Sequence, residues 1–170
     1  MLRKINIFIF YILFSLSLEA KEPILAILND IVSNEVQKFS IGSYTFECKA
    51  YGVLSLETVY KRAKQGSICQ DSIDEFYKKN PKSKNYVYRL LQHKQLYHIE
   101  IKDTECILYA KGQMTLSELL LQEGLAIKNP KFKNEEFENY YTLAQIKAKL
   151  DKKGLWAEKI FSSCKDELNN

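Results

Sequence analysis

Gly112-Gln113-Met114-Thr115-Leu116-Ser117-Glu118-Leu119-Leu120-Leu121-Gln122-Glu123-Gly124-Leu125-Ala126 is the stretch on which the reading of this chain turns. Thr115 to Glu123 reads as a helix, and Gly124 follows its last turn, where a residue tolerant of left-handed backbone stops a helix. A second helix with the same ending lies downstream. After Pro130, Glu135 to Lys153 runs to Gly154, and Phe137, Tyr140, Tyr141, Ala144 and Ala148 recur at spacings of three and four. That period predicts one inward stripe, with Lys147, Lys149, Lys152 and Lys153 toward water and Trp156 as an anchor beyond the stop.

Toward the N-terminus the pattern becomes that of strands. Ile24 to Val32 is apolar, Glu35 to Phe39 is short, and Ser43 to Tyr51 alternates with Tyr44, Phe46, Cys48 and Ala50 on one side. Ser33-Asn34 and Ile41-Gly42-Ser43 supply the turns of a meander, since Asn and Gly tolerate the backbone angles that tight turns need. Residues 58–85 are polar, hold Lys61, Arg62, Lys64, Lys78, Lys79, Lys82 and Lys84, and are broken by Gly66 and Pro81. They read as an irregular basic loop with one short helix over Ser72 to Lys79. A helix from Ser83 to Gln92 should send Tyr86, Leu90 and Leu91 inward, and Leu96 to Ile101 and Glu105 to Ala110 read as a hairpin through Lys102-Asp103-Thr104. Five strands followed by helices is an α+β order, whose simplest closure is a five-stranded OB-fold-like β-barrel with three main α-helices.

The first twenty residues differ in kind. Arg3 and Lys4 precede the uncharged run Ile5 to Leu18, which is shorter than the roughly 20 residues a membrane-spanning helix needs and closes on the small Ala20. This predicts a secretory signal peptide over 1–20 cleaved after Ala20, with retention as an N-terminal anchor as the alternative. Once the signal is cleaved, no stable membrane insertion is expected, and the protein should be periplasmic or secreted. Without Arg3, Lys4 and Glu19 the net charge of +4 falls to +3, too small to name a polyanionic partner from the total alone. Four cysteines, Cys48, Cys69, Cys106 and Cys164, in an oxidising compartment allow two disulfides in any of three pairings, and their spacing fits no zinc template.

The 112–126 stretch resembles the segment of staphylococcal-nuclease-like (thermonuclease-like) domains that leaves the fifth strand and forms the helix ending in Gly-Leu-Ala. Ala144-Gln145-Ile146-Lys147-Ala148-Lys149, with Lys153-Gly154-Leu155-Trp156, is similar to that family's last helix and its terminal Gly-Leu-Trp. The resemblance covers residues 23 to 157. It implies a nuclease-like OB-fold domain over 21–157 carrying the inserted basic loop 58–85, followed by a C-terminal tail, 158–170.

The same resemblance locates a site. The family pattern Arg-Leu-x-Gly-Ile-Asp-x-Pro-Glu falls on Lys49-Ala50-Tyr51-Gly52-Val53-Leu54-Ser55-Leu56-Glu57, so a phosphate-holding Arg becomes Lys49, a metal-binding Asp becomes Leu54, and the Glu remains as Glu57. The family's Asp-Gly-Asp-Thr turn corresponds to Ser33-Asn34-Glu35-Val36, leaving Glu35 as the candidate metal ligand, and its Tyr-Gly-Arg loop is shortened to Lys102-Asp103-Thr104. Cleaving a phosphodiester at one calcium ion needs a base, hard oxygen ligands and fixed positive charge on the phosphate. Glu57 and Lys49 are therefore the catalytic candidates, but Leu54 offers the metal no oxygen, and a lysine lacks the two-pronged geometry of arginine. Lys61, Arg62 and Lys64, with Tyr60, Phe76, Tyr77, Tyr86 and Tyr88 nearby, are the candidates for binding single-stranded nucleic acid. Neighbouring strands in the family's barrel imply Cys48–Cys106, which leaves Cys69–Cys164. The expectation is an exported, catalytically impaired binding module for single-stranded nucleic acid or another envelope protein, with no cofactor. The alternatives are a rearranged calcium-dependent nuclease and a structural envelope scaffold.

Overall fold

Strands β1 (Ile24–Ile31), β2 (Val36–Ile41) and β3 (Tyr44–Ala50) form an antiparallel meander, with Phe39 opposite Phe46 and Gln37 opposite Cys48. The computed structural model describes residues 23–157 and 159–169, so the expected signal peptide over 1–20 lies outside the described residues. β1 also pairs antiparallel with β5 (Leu96–Lys102), and β5 with β6 (Glu105–Lys111). β6 then returns parallel to β3 at Lys49↔Glu105 and Ala50↔Cys106, which closes a ring of five strands. All five strands read from the sequence are present, and with the helices they make the expected α+β, OB-fold-like barrel. Short strands β4 (Val53–Ser55) and β8 (Ala126–Lys128) pair with each other beside it, and β7 (Met114–Thr115) folds back antiparallel on the end of β6.

The closing seam is short, and the disulfide Cys48–Cys106 spans it with Cα atoms 5.5 Å apart. A second disulfide, Cys69–Cys164, with Cα atoms 4.7 Å apart, joins the middle of the chain to its C-terminal segment. All four cysteines are buried. The pairing implied by the family barrel, Cys48–Cys106, is thus formed, and so is Cys69–Cys164, the pair it left over. Among the described residues no helix is long and apolar enough to cross a membrane. Two buried disulfides and this lack of a spanning helix are compatible with an exported protein.

Residues 58–85 differ from the sequence expectation. They are mostly helical rather than an irregular loop, in α1 (Leu56–Arg62), α2 (Ile68–Lys79) and α3 (Pro81–Lys84). Ser55 and Ser67 cap the first two through their hydroxyls, and Leu56, Val59, Cys69, Ile73 and Phe76 form a buried stripe, with α2 packed on α1 and on the C-terminal segment. The helix expected over Ser83 to Gln92 is split at Asn85 into α3 and α4 (Tyr86–Leu90); Val87 and Leu91 go inward, while Tyr86 and Leu90 are only partly buried. Helix α5 (Leu116–Gln122) carries a reciprocal cap between Thr115 and Glu118, and α6 (Glu138–Leu150) packs through Tyr141 and Ala148 with Phe137 just before it. Tyr140, expected inward, is exposed, as is Tyr44 at the start of β3. Beyond residue 158 the segment read as a tail forms α7 (Ile160–Ser163) and α8 (Lys165–Asn169), and Ile160, Cys164 and Leu168 join the core.

Candidate functional site

Tight turning between β1 and β2 sets the site. The Ser33 hydroxyl accepts the backbone N–H groups of Glu35 and Val36, both at 3.1 Å, which fixes the chain where Asn34 and Glu35 point inward. Asn34 is buried and fully engaged. Its carbonyl accepts the Val87 N–H at 3.0 Å, and its amide donates to the Ser83 and Lys84 carbonyls and to Glu57 Oε1 at 2.9 Å. One side chain thereby fastens the α3–α4 segment and α1 to the barrel turn.

Glu35 is 3 % exposed. Lys49, reaching over from β3, forms an ion pair with Glu35 Oε1 at 3.2 Å. Glu35 Oε2 accepts the Ser55 hydroxyl at 2.8 Å and the Thr58 hydroxyl. Ser55 Oγ also accepts the Thr58 N–H at 3.1 Å, so the residue that starts α1 is the one that holds the carboxylate. Leu54, one residue earlier, pairs with Ile127 across β4 and β8 and turns into the hydrophobic core. Among the described residues no group of three or more His, Cys, Asp and Glu is arranged to hold a metal ion.

Over residues 51–158, more than half of its length, the chain matches the family model described as Staphylococcal nuclease homologue. The chain belongs to this family. No curated protein matches it. The matched range begins just after Lys49, so in this staphylococcal nuclease homologue the pairing of Glu35 with Lys49 is read from the barrel geometry rather than from the family match.

Of the candidate residues, this nuclease homologue brings Glu35, Lys49 and Glu57 to one region. Lys61, Arg62 and Lys64 stand apart, exposed at the C-terminal end of α1 and just beyond it, while Glu57 occupies the first turn. The expected aromatic platform beside them is also dispersed. Phe76 is core, the Tyr60 hydroxyl donates to Asp74 at 3.1 Å, and Tyr77 turns toward Glu57; Tyr88 is exposed, its ring 5.4 Å from that of His93. His93 and His98 are surface residues.

Glu57 forms one wall of a cavity of about 240 Å³ that is also lined by Ser33, Asn34, Tyr77, Lys84 and Tyr88. Its Oε2 and the Tyr77 hydroxyl are both shut off from water without a hydrogen bond of regular geometry. Burial pushes the Glu57 carboxyl above the usual carboxylate range, and the Glu35 charge adds to the rise, although its own backbone N–H, Ser55 and Asn34 oppose it. Desolvation, followed by the Glu57 charge, likewise raises the Tyr77 phenol. A carboxyl whose pKa is raised by folding contributes most below its unfolded value and loses that contribution as pH rises through the folded value. Glu57→Gln is therefore expected to raise the melting temperature by a few degrees at pH 7, for a gain of about 1 kcal/mol, and to leave it unchanged at pH 4. Equal effects at the two pH values would refute the burial account.

Asn34, Ser55 and Thr58 are not singled out as site residues from the sequence, and Tyr77 only as one ring of the aromatic platform. Ser55 had a visible signal, a hydroxyl residue directly before an apolar helix with an acid in its first turn. The other three acquire their roles only through contacts over 23 residues or more, or through burial.

Proposed function

We propose that this staphylococcal nuclease homologue is an exported module that binds nucleic acid or another envelope protein and is strongly impaired as a phosphodiesterase. The observation that carries this reading is the internal engagement of Glu35. Its oxygens are taken by Lys49, Ser55 and Thr58, and the next position from which a family member would offer a metal carboxylate is the buried Leu54. Calcium needs six to eight oxygen ligands, and this donor set does not fit it. Lys49, committed to Glu35, is also withdrawn from the task of gripping a phosphate. Losing a single preorganised donor typically lowers a rate about a hundred- to a thousandfold. Here the metal ligand and the phosphate clamp are altered together, with effects that are not additive.

The alternative, a calcium-dependent exported nuclease with a rearranged site, draws on one observation: Glu57 still lines a cavity and has an unengaged oxygen. Incubating the protein with single-stranded and plasmid DNA, with and without millimolar calcium, separates the two. The expected result is no cleavage above a blank in either condition, with salt-sensitive retention of oligonucleotides if nucleic acid is the partner. Calcium-dependent cleavage abolished by Glu57→Gln would overturn the proposal.

A further inference from the structure

Helix α6 buries one face against the domain, yet its opposite face is also apolar. Tyr140, Leu143, Ile146 and Leu150 are 59, 65, 44 and 78 % exposed, and their spacings of three, three and four place them on one outward stripe. A run of four large apolar side chains on the outside of a single helix marks a contact surface rather than scattered surface leucines.

We propose that this stripe is the interface of a two-fold dimer of the chain, in which two α6 helices pack antiparallel about Leu143. The charges around it choose the occupant. Glu135, Glu136 and Glu138 cluster at the N-terminal end of α6, and Lys147, Lys149, Lys152 and Lys153 outnumber the single Asp151 at its C-terminal end. Glu138 is paired with Lys128, Lys153 with Glu123, and Lys149 lies over the Trp156 ring. Glu135, Glu136, Lys147 and Lys152 are exposed and have no ion-pair partner among the described residues. An antiparallel second copy brings its lysine end to this acidic end and satisfies both, whereas a parallel copy sets like charges against each other. Tyr140 and Ile146 lie three residues either side of Leu143, so the two-fold operation sets each against the other's counterpart, with Leu143 meeting Leu143. An anionic lipid surface would accept the apolar stripe and attract Lys147 and Lys152, but it repels the exposed Glu135, Glu136 and Asp151 and so satisfies one end of the helix only, where a second copy satisfies both.

One helix pair buries less than a standard interface, so the dimer should be weak, with a dissociation constant on the order of tens of micromolar. Sedimentation of the protein recovered from expression of the full chain, from about 1 to 500 µM, is expected to show a monomer–dimer equilibrium that loosens with salt. Leu143→Lys changes an exposed position and leaves the fold intact, yet should raise the dissociation constant at least about a hundredfold, because both copies lose an apolar contact and gain facing charges. Lys147→Glu should weaken the dimer, and adding Glu136→Lys should restore it. A wild type that stays monomeric throughout, or a dimer indifferent to Leu143→Lys, overturns the proposal. So does binding to phosphatidylglycerol vesicles that is lost in Leu143→Lys without any dimer, which would assign the face to a membrane.

Discussion

Replacing Lys49 with methionine is expected to destabilise the protein by about 3 kcal/mol, equivalent to a fall in melting temperature of roughly 6–12 °C. Methionine keeps the apolar stem of the lysine and removes only the ammonium, so the change isolates the charge. Glu35 would then remain 3 % exposed with two hydroxyl donors and no cation. Breaking one side of a buried ion pair typically costs about 3–5 kcal/mol, because the remaining charge is stranded. The lower end is appropriate here, since the Lys49 side chain is 33 % exposed and water already shares its charge. Glu35→Gln together with Lys49→Met should recover most of the loss, as the amide no longer needs a counter-charge and still accepts from Ser55 and Thr58. A Lys49→Met protein that melts within a degree or two of the wild type would mean that water reaches Glu35, and the closed reading of the site would go with it.

How far the sequence reveals this arrangement depends on the range of the forces involved. The five barrel strands are legible because alternation and turn residues act locally, and the helix stopped by Gly124 because a left-handed stop is a property of glycine itself. Helix α6 ends earlier than its pattern predicts, at Leu150, with Lys152 in the left-handed region and Gly154 opening a short 3-10 turn. Residues 58–85 read as a loop because their many lysines and acids mask a short stripe, Val59 on α1, Ala63 just beyond it and then Cys69, Ile73 and Phe76 on α2, that becomes evident only once the C-terminal segment it packs against is known. Tyr140 was placed inward because four positions on α6 fit an apolar period on more than one face. At the site, the substitutions of Lys49 and Leu54 were visible by resemblance. That Lys49 answers Glu35 was not, because Glu35 sits in the turn just before β2 and Lys49 on β3, and the two meet only through the β2–β3 register, in which Val36 faces Lys49. Asn34, joining residues 23 to 53 positions away, carries no local signature.

The two Gly-Leu sequences on which the family resemblance rests are in contact, and Gly154→Ala is expected to be among the most damaging single changes in the chain. A Cβ on Gly154 would lie 2.2 Å from the Gly124 carbonyl oxygen and 2.5 Å from its carbon, and one on Gly124 would lie 2.2 Å from the Lys153 oxygen. These are backbone atoms on both sides, so no side chain can rotate away. Both glycines also have positive φ, and the Leu155 N–H donates to the Gly124 carbonyl at 2.9 Å, which fixes the end of α5 against the end of α6 with Leu125 and Leu155 buried beside the contact. Gly42 supplies the control: its φ is +59°, but nothing lies within 4 Å of a Cβ placed there. Gly42→Ala should cost about 1 kcal/mol from backbone strain alone, whereas Gly154→Ala should cost at least about 3–4 kcal/mol, as strain and forced separation combine. The consequence extends to the site. Leu125 accepts the Leu56 N–H at 3.0 Å, and Ala126 pairs with Ser55, the residue that holds Glu35, so opening the Gly124–Gly154 contact pulls on the strand that positions the carboxylate. Urea midpoints for the two alanine variants measure the difference directly. Equal losses would show that the two helix ends separate freely and that this contact does not position Ser55.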